Sequence, residues 1–171
     1  VTPQNVIYFL TYLPAADSSI VFKNISWDSA FVPVLFTKPL CNDISFQNSN
    51  TGIICGYSGS LKRTSDGGQS WTSHSPGNSF IFQSVQMVNP NSAYVTGSGG
   101  SIFKSTNSGI NWFPQNSQTP WYINDISVLP NDSNGFAVGD FGTIIKTSNG
   151  GITYTGNIST EIPGEFLLMQ N

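Results

Sequence analysis

The sequence predicts an all-β protein, a β-propeller-like array of about four antiparallel blades, and three observations lead there. A phrase recurs three times: GYSGSLKRTSDGGQSW at 56–71, GSGGSIFKSTNSGINW at 97–112 and GDFGTIIKTSNGGITY at 139–154. Its closing aromatics, Trp71, Trp112 and Tyr154, stand 41 and 42 residues apart, which is too long for one hairpin and too short for a domain. Apolar residues in and ahead of each phrase alternate with period two, the period of a strand, and no stretch carries a persuasive helical pattern.

The chain opens with a β-prone run at residues 6–13, which pairs either within this chain or with the open edge of another. Ile20-Val21-Phe22-Lys23 followed by Trp27 reads as a degenerate copy of Ile102-Phe103-Lys104 followed by Trp112, with the intervening loop cut away. Pro33 and Pro39 mark residues 30–40 as an edge strand or crossing segment. The full repeats run over about 43–84, 85–124 and 125–157, leaving 1–42 as an N-terminal segment and 158–171 as a tail.

Each full repeat has one grammar. A first strand (Asp43-Ile44-Ser45-Phe46, Val85-Gln86-Met87 or Asp125-Ile126-Ser127-Val128) leads to a second at 52–56, 93–95 or 135–139. Glycine pairs then follow, Gly56 with Gly59, Gly97 with Gly100 and Gly139 with Gly142, a spacing that suits a hairpin turn needing positive φ. A third strand carries Leu61, Ile102 or Ile144 and runs into a polar loop. There Asp66, Asn107 and Asn149 are placed to accept backbone hydrogen bonds, and Gly68, Gly109 and Gly151 supply a left-handed residue. Trp71, Trp112 and Tyr154 then anchor the hairpin on the apolar layer beneath it. Four such units leave closure open: the chain makes a small ring, joins copies of itself or belongs to something longer.

The loop motif, Ser or Thr, any residue, Asp or Asn, any residue, Gly, then an aromatic three residues on, resembles the Asp-box of BNR-type β-propellers. The whole phrase over about residues 43–156 is most similar to repeats of the photosystem II assembly-factor type. The resemblance implies a propeller fold and leaves activity open, because one fold hosts many functions. Sialidases, which carry Asp-boxes, use three arginines on their substrate's carboxylate; this chain has only Arg63, which excludes that activity. The basic patch that a photosystem-assembly role implies has no counterpart among its scattered basic residues. At the other end, residues 162–171 resemble the lead-in to the C-terminal sorting domain of type IX secretion cargo, with a simple tail as the alternative.

Composition suits a secreted or cell-surface protein: 9% of residues are charged and 13% aromatic. Six Lys and Arg against nine Asp and Glu give a net charge of −3 without a basic stripe, which argues against nucleic acid as a partner. Lys62, Lys104 and Lys146 read as one recurring position. No apolar run approaches the roughly 20 residues of a membrane helix. Cys41 and Cys55 flank one hairpin and form a disulfide, remain two buried thiols or pair with another subunit. Together with His74, a solvated loop residue, they make no metal-ligand set, and no cofactor is expected. Asp28-Ser29-Ala30 matches a short O-glycosylation pattern at Ser29, and Asn24, Asn131 and Asn157 open N-glycosylation triplets.

The carboxylates have structural explanations, so no catalytic residue is assigned. The expected function is structural or adhesive, with self-assembly through copies of the chain and donation of the N-terminal strand as its sharpest form. The alternative is a monomeric module that binds glycan or protein through Trp121, Tyr122 and Phe141. A glycosidase is a remote third reading.

Overall fold

The computed structural model describes residues 6–14, 17–24, 30–77 and 79–151, and among these every regular element other than short turns is a strand. Ser29, Tyr154, Asn157 and the tail at 158–171 lie outside the described residues. Four antiparallel sheets follow one another along the chain. The first holds β1 (Ile7–Leu13), β2 (Ser18–Asn24) and β3 (Val32–Thr37). The second holds β4 (Cys41–Phe46), β5 (Gly52–Gly56), β6 (Leu61–Thr64) and β7 (Thr72–Ser73). The third holds β8 (Phe82–Met87), β9 (Ala93–Gly97), β10 (Ile102–Ser105) and β11 (Phe113–Gln115). The fourth holds β12 (Ile123–Val128), β13 (Gly135–Gly139) and β14 (Ile144–Thr147). These are the blades of a propeller-like array, and the substantial packing between sheets joins consecutive ones.

Register identifies the strands of the degenerate first blade. Lys104 pairs with Tyr94 on one side and Phe113 on the other, and Lys23 pairs with Tyr8 and Val32 in the same way. The first sheet therefore corresponds to the second, third and fourth strands of a full blade, and β1 has no innermost strand beside it among the described residues. The sequence leaves residues 6–13 free to pair in this chain or another; the structure pairs β1 with β2 of its own chain. By register the residue in the place of Trp112 is Phe31, one residue ahead of Val32, while Trp27 lies outside the described residues. Pro33 sits in edge strand β3 at a register shift, where a missing N–H costs the ladder nothing.

The second and third sheets bury both faces and the first and fourth one each, so the core is a series of layers between blades. Ile53, Cys55 and Leu61 of the second blade meet Val85, Val95, Phe103 and Trp112 of the third. Tyr94 and Ile102 then meet Ile123, Val128, Ala137 and Ile145 of the fourth. Val21, Tyr8 and Leu10 cover Cys41, Ile54 and Trp71. Period-two alternation thus sends successive residues of one strand into different layers.

That alternation bears on the alternatives left open for Cys41 and Cys55. Both thiols are free and buried, Cys41 in the layer toward the first blade and Cys55 in the layer toward the third. Burial raises both thiol pKa values, that of Cys55 strongly. It also corrects the lysine series. The position shared with Lys104 and Lys146 belongs to Arg63, while Lys62 faces back and donates to Thr37 Oγ1 at 3.0 Å.

The glycine pairs divide their work differently from the expectation. Gly59, Gly100 and Gly142 have φ of 68°, 69° and 73°, but Gly56 and Gly97 are extended at 177° and 174°. The first glycine is required by space: a Cβ on Gly97 would lie 2.1 Å from the Ile81 carbonyl oxygen. Replacing Trp112, buried in the layer between the second and third blades, tests whether the layers carry the stability. Trp112→Ala should lose about 3–5 kcal/mol in urea-induced unfolding, the usual cost of emptying a buried aromatic site.

Candidate functional site

A blade of this kind runs as a meander, so the loops between third and fourth strands lie on one face of the array. The turns between second and third strands lie on the opposite face, beside the segments that enter each first strand. The two faces have different chemistry.

The first face carries the Asp-boxes. Thr64 Oγ1 donates to Asp66 Oδ1 at 2.8 Å and accepts the Gly68 N–H at 2.9 Å. Asp66 also accepts the Ser70 N–H at 2.9 Å and the Ser70 hydroxyl at 2.6 Å. Bonds from Ser70 and then Thr64 hold its carboxyl down at about 2. Asn107 repeats the pattern with Ser105 and the Asn111 N–H, and Asn149 with Thr147, whose hydroxyl also accepts the Gly151 N–H. The Trp71 and Trp112 indoles fold back to donate to the Gly68 and Gly109 carbonyls at 3.2 and 3.1 Å.

These loops are tied to the preceding blade. Lys23 Nζ donates to the Gly67 carbonyl at 3.2 Å, Arg63 Nε to Ser108 at 2.7 Å and Lys104 Nζ to Gly150 at 3.1 Å. Lys104 also forms an ion pair with Asp132 at 2.9 Å. Burial pushes the Asp132 carboxyl up, but bonds from Lys104, Ser92 and Tyr94 outweigh it and leave the pKa below the ordinary value. Burial and the neighbouring Asp132 push the Tyr94 phenol far up. His74, in a loop, makes exposed contacts between blades, with the Thr72 hydroxyl at 2.9 Å and the Ile110 carbonyl at 3.1 Å.

Near the axis, side chains lace together first strands that share no backbone ladder. Asp43, Ser84 and Asp125 hold equivalent positions, and the Ser84 hydroxyl lies 3.1 Å from Asp43 and 3.0 Å from Asp125. Asp43 also accepts the Val85 N–H, and Gln86 pairs with both backbone groups of Val128. Among the described residues no cluster of three metal-ligating side chains occurs.

The opposite face holds the candidate site, on the fourth blade. Trp121 and Phe141, named from sequence, come together with ring centroids 4.3 Å apart, 46% and 71% exposed. Tyr122 is half-buried, and its carbonyl accepts the Asp140 N–H at 2.9 Å. The Asp140 carboxylate accepts from the Asn124 amide at 2.7 Å, a pairing that sequence reasoning missed because Asn124 lies in β12 and Asp140 in the turn 16 residues further on. Phe141 holds φ 56°, ψ 32°, the left-handed region. Ser58 and Gly99 occupy the same turn position in the second and third blades. At the place of Trp121 the third blade has Phe80, which turns inward against Phe103. Among the described residues, only the fourth blade thus turns both aromatics out to form a platform beside a carboxylate.

Among solved structures, YCF48 bound to D1 peptide superposes with a TM-score of 0.60 at 23% identity, over 68% of this chain and 39% of that one. YCF48 from Cyanidioschyzon merolae gives 0.57 at 26% identity over the same shares. The GH74 enzyme from Niastella koreensis gives 0.68 at 14% identity, over 90% of this chain and 28% of that one. The chain therefore spans about two fifths of the YCF48 structures and less of the glycosidase. No curated protein matches the sequence. The family model of the photosynthesis system II assembly factor YCF48 matches residues 21–162, and with the Asp-box geometry above this places the chain in that family of BNR-type β-propellers.

Proposed function

We propose that this chain is a non-catalytic propeller module of an exported protein, and that it binds a protein segment through the platform of Trp121 and Phe141. The observation that carries the reading is the backbone of Phe141. A bulky side chain in the left-handed region costs of order 1–3 kcal/mol, and folding gains little from a ring that is 71% exposed. Strain of this kind concentrates at sites where something else is bound.

The platform's surroundings define the segment. Two exposed rings take an aliphatic or prolyl side chain, and Asp140 at the same turn attracts a basic one. A peptide-bound structure of a YCF48 relative supports a peptide as the class of ligand. The non-catalytic reading rests on the employment of the acids: Asp66, Asp132, Asp43 and Asp125 each accept bonds that hold a loop or a neighbouring blade. Export is supported by the low charge of the chain.

The test is a peptide array probed with the whole chain. Peptides with an apolar residue beside Lys or Arg should be retained, and Trp121→Ala should weaken the best of them at least tenfold without moving the unfolding midpoint. Phe141→Gly should weaken binding similarly while unfolding at an equal or higher urea concentration, because glycine removes the strain. Retention of glycans and no peptides by the same rings would replace this reading with the glycan alternative.

A further inference from the structure

The turn face stays open in the blades that have a described neighbour on each side. Ser58 and Gly99, at the place of Phe141 in the second and third blades, are both exposed, and a Cβ on Gly99 would meet nothing within 4 Å. Tyr57, at the place of Asp140 in the second blade, is 41% exposed. The openness of Asp140 and Phe141 therefore belongs to the turn itself.

Asp140 differs from the other acids of the repeats in what it is left to do. Asp132, the one acid with an ion pair among the described residues, has Lys104 beside it. Asp140 accepts a single bond, from the Asn124 amide to Oδ1, and its Oδ2 is left without a donor among the described residues. Asn124 sits at the register shift between Ile123 and Asp125, where β12 has one residue that β13 does not pair. A bulge of this kind re-aims a side chain, and here it turns the amide onto the carboxylate of the turn. With one oxygen tied to that amide, the carboxylate is held in one orientation.

Asp140 and Phe141 are consecutive in one turn, and the Asp140 N–H bonds to the carbonyl of Tyr122, the residue after Trp121. One long side chain can therefore lie on a ring and end at the carboxylate. Arginine and lysine both have the length, but they gain differently. A guanidinium is planar and weakly hydrated, so it stacks on an exposed ring while presenting two parallel N–H groups to a fixed carboxylate. An ammonium is a strongly hydrated point charge, which neither the ring nor the fixed orientation rewards as much.

We infer that the platform selects arginine over lysine, an inference that rests on the peptide-binding reading and names the basic residue it takes. The guanidinium packs on the Phe141 ring and pairs with Asp140, Asn124 positions that carboxylate, and Trp121 takes the neighbouring apolar residue.

The test is an NMR titration of the isotope-labelled whole chain with acetyl-leucyl-arginine amide and acetyl-leucyl-lysine amide, following the Trp121 indole N–H and the Asn124 side-chain amide. The arginine probe should bind about tenfold more tightly than the lysine probe. Asp140→Asn should bring the two probes to one weak affinity. Asn124→Ala should narrow the preference while leaving the lysine probe nearly unchanged, whereas a merely structural role would weaken both probes alike. Equal affinities in the wild-type chain, a preference that survives Asp140→Asn, or no movement of the Trp121 signal with either probe each overturn the inference. An array that retains peptides through Trp121 with Lys and Arg alike overturns the arginine assignment and leaves the peptide reading standing. An array that retains no peptide removes that reading, and the titration then decides the arginine assignment by itself.

Discussion

Where the second blade meets the third, Ile53 presses on the backbone of Gly109 so closely that a Cβ there would stand 2.4 Å from its Cδ1. Trp112 closes over the same glycine, and Arg63 fixes the adjoining Ser108 carbonyl. A single sheet with apolar side chains on both faces has no stable existence in water. The unit on which the fold depends is therefore this contact between blades. The Asp-box serves it by holding the loop in the one shape that places aromatic, glycine and carbonyl together. Asp66, Asn107 and Asn149 serve alike in that each presents an oxygen to the hydroxyl two residues earlier, Thr64, Ser105 or Thr147. The Asp66 carboxylate, held at about 2 by Ser70 and then Thr64, gives stability that is fully present above the usual aspartate range and declines as pH falls toward 2.

This division of labour explains which parts of the structure were legible in the sequence. Loop residues act within a few positions of one another, so their roles follow from spacing; Asp66 with Ser70, and Trp71 with Gly68, are contacts of that kind. Roles set by the neighbouring blade are invisible to spacing. Gly97 looks like a turn glycine but is needed because the chain approaching the first strand crosses its backbone. Lys62 differs from these: counting back from Asp66, Arg63 holds the place of Lys104, and a shift of one residue reverses the face. Cys41 and Cys55 look like bridge partners because their hairpin is short, yet the same alternation parts them into two layers. Phe31 was missed as the counterpart of Trp112 because the loop before it has lost the Asp-box spacing.

The candidate site was legible in kind and not in arrangement. Exposed aromatics near a turn suggest binding from sequence alone, but only the fold brings Trp121 onto Phe141 from segments twenty residues apart. The sequence also gives no sign that Phe141 is strained, since Ser58 and Gly99 hold the same dihedrals without conflict.

The two faces of the array differ in the freedom left to their residues. On the Asp-box face, side chains and carbonyls are committed to adjacent loops or blades, so a change that created a ligand site there would first break a contact between layers. On the turn face, the backbone bonds that hold the turn, such as Asp140 N–H to Tyr122 carbonyl and Thr143 N–H to Asp140 carbonyl, ask nothing of the side chain between them. That position is Ser58, Gly99 and Phe141 in successive blades, small in two and aromatic in the third. Local rules broken without structural benefit mark positions held for another purpose. A residue that costs folding free energy, at a position which packing leaves unconstrained, is therefore best explained by what it touches outside the blade.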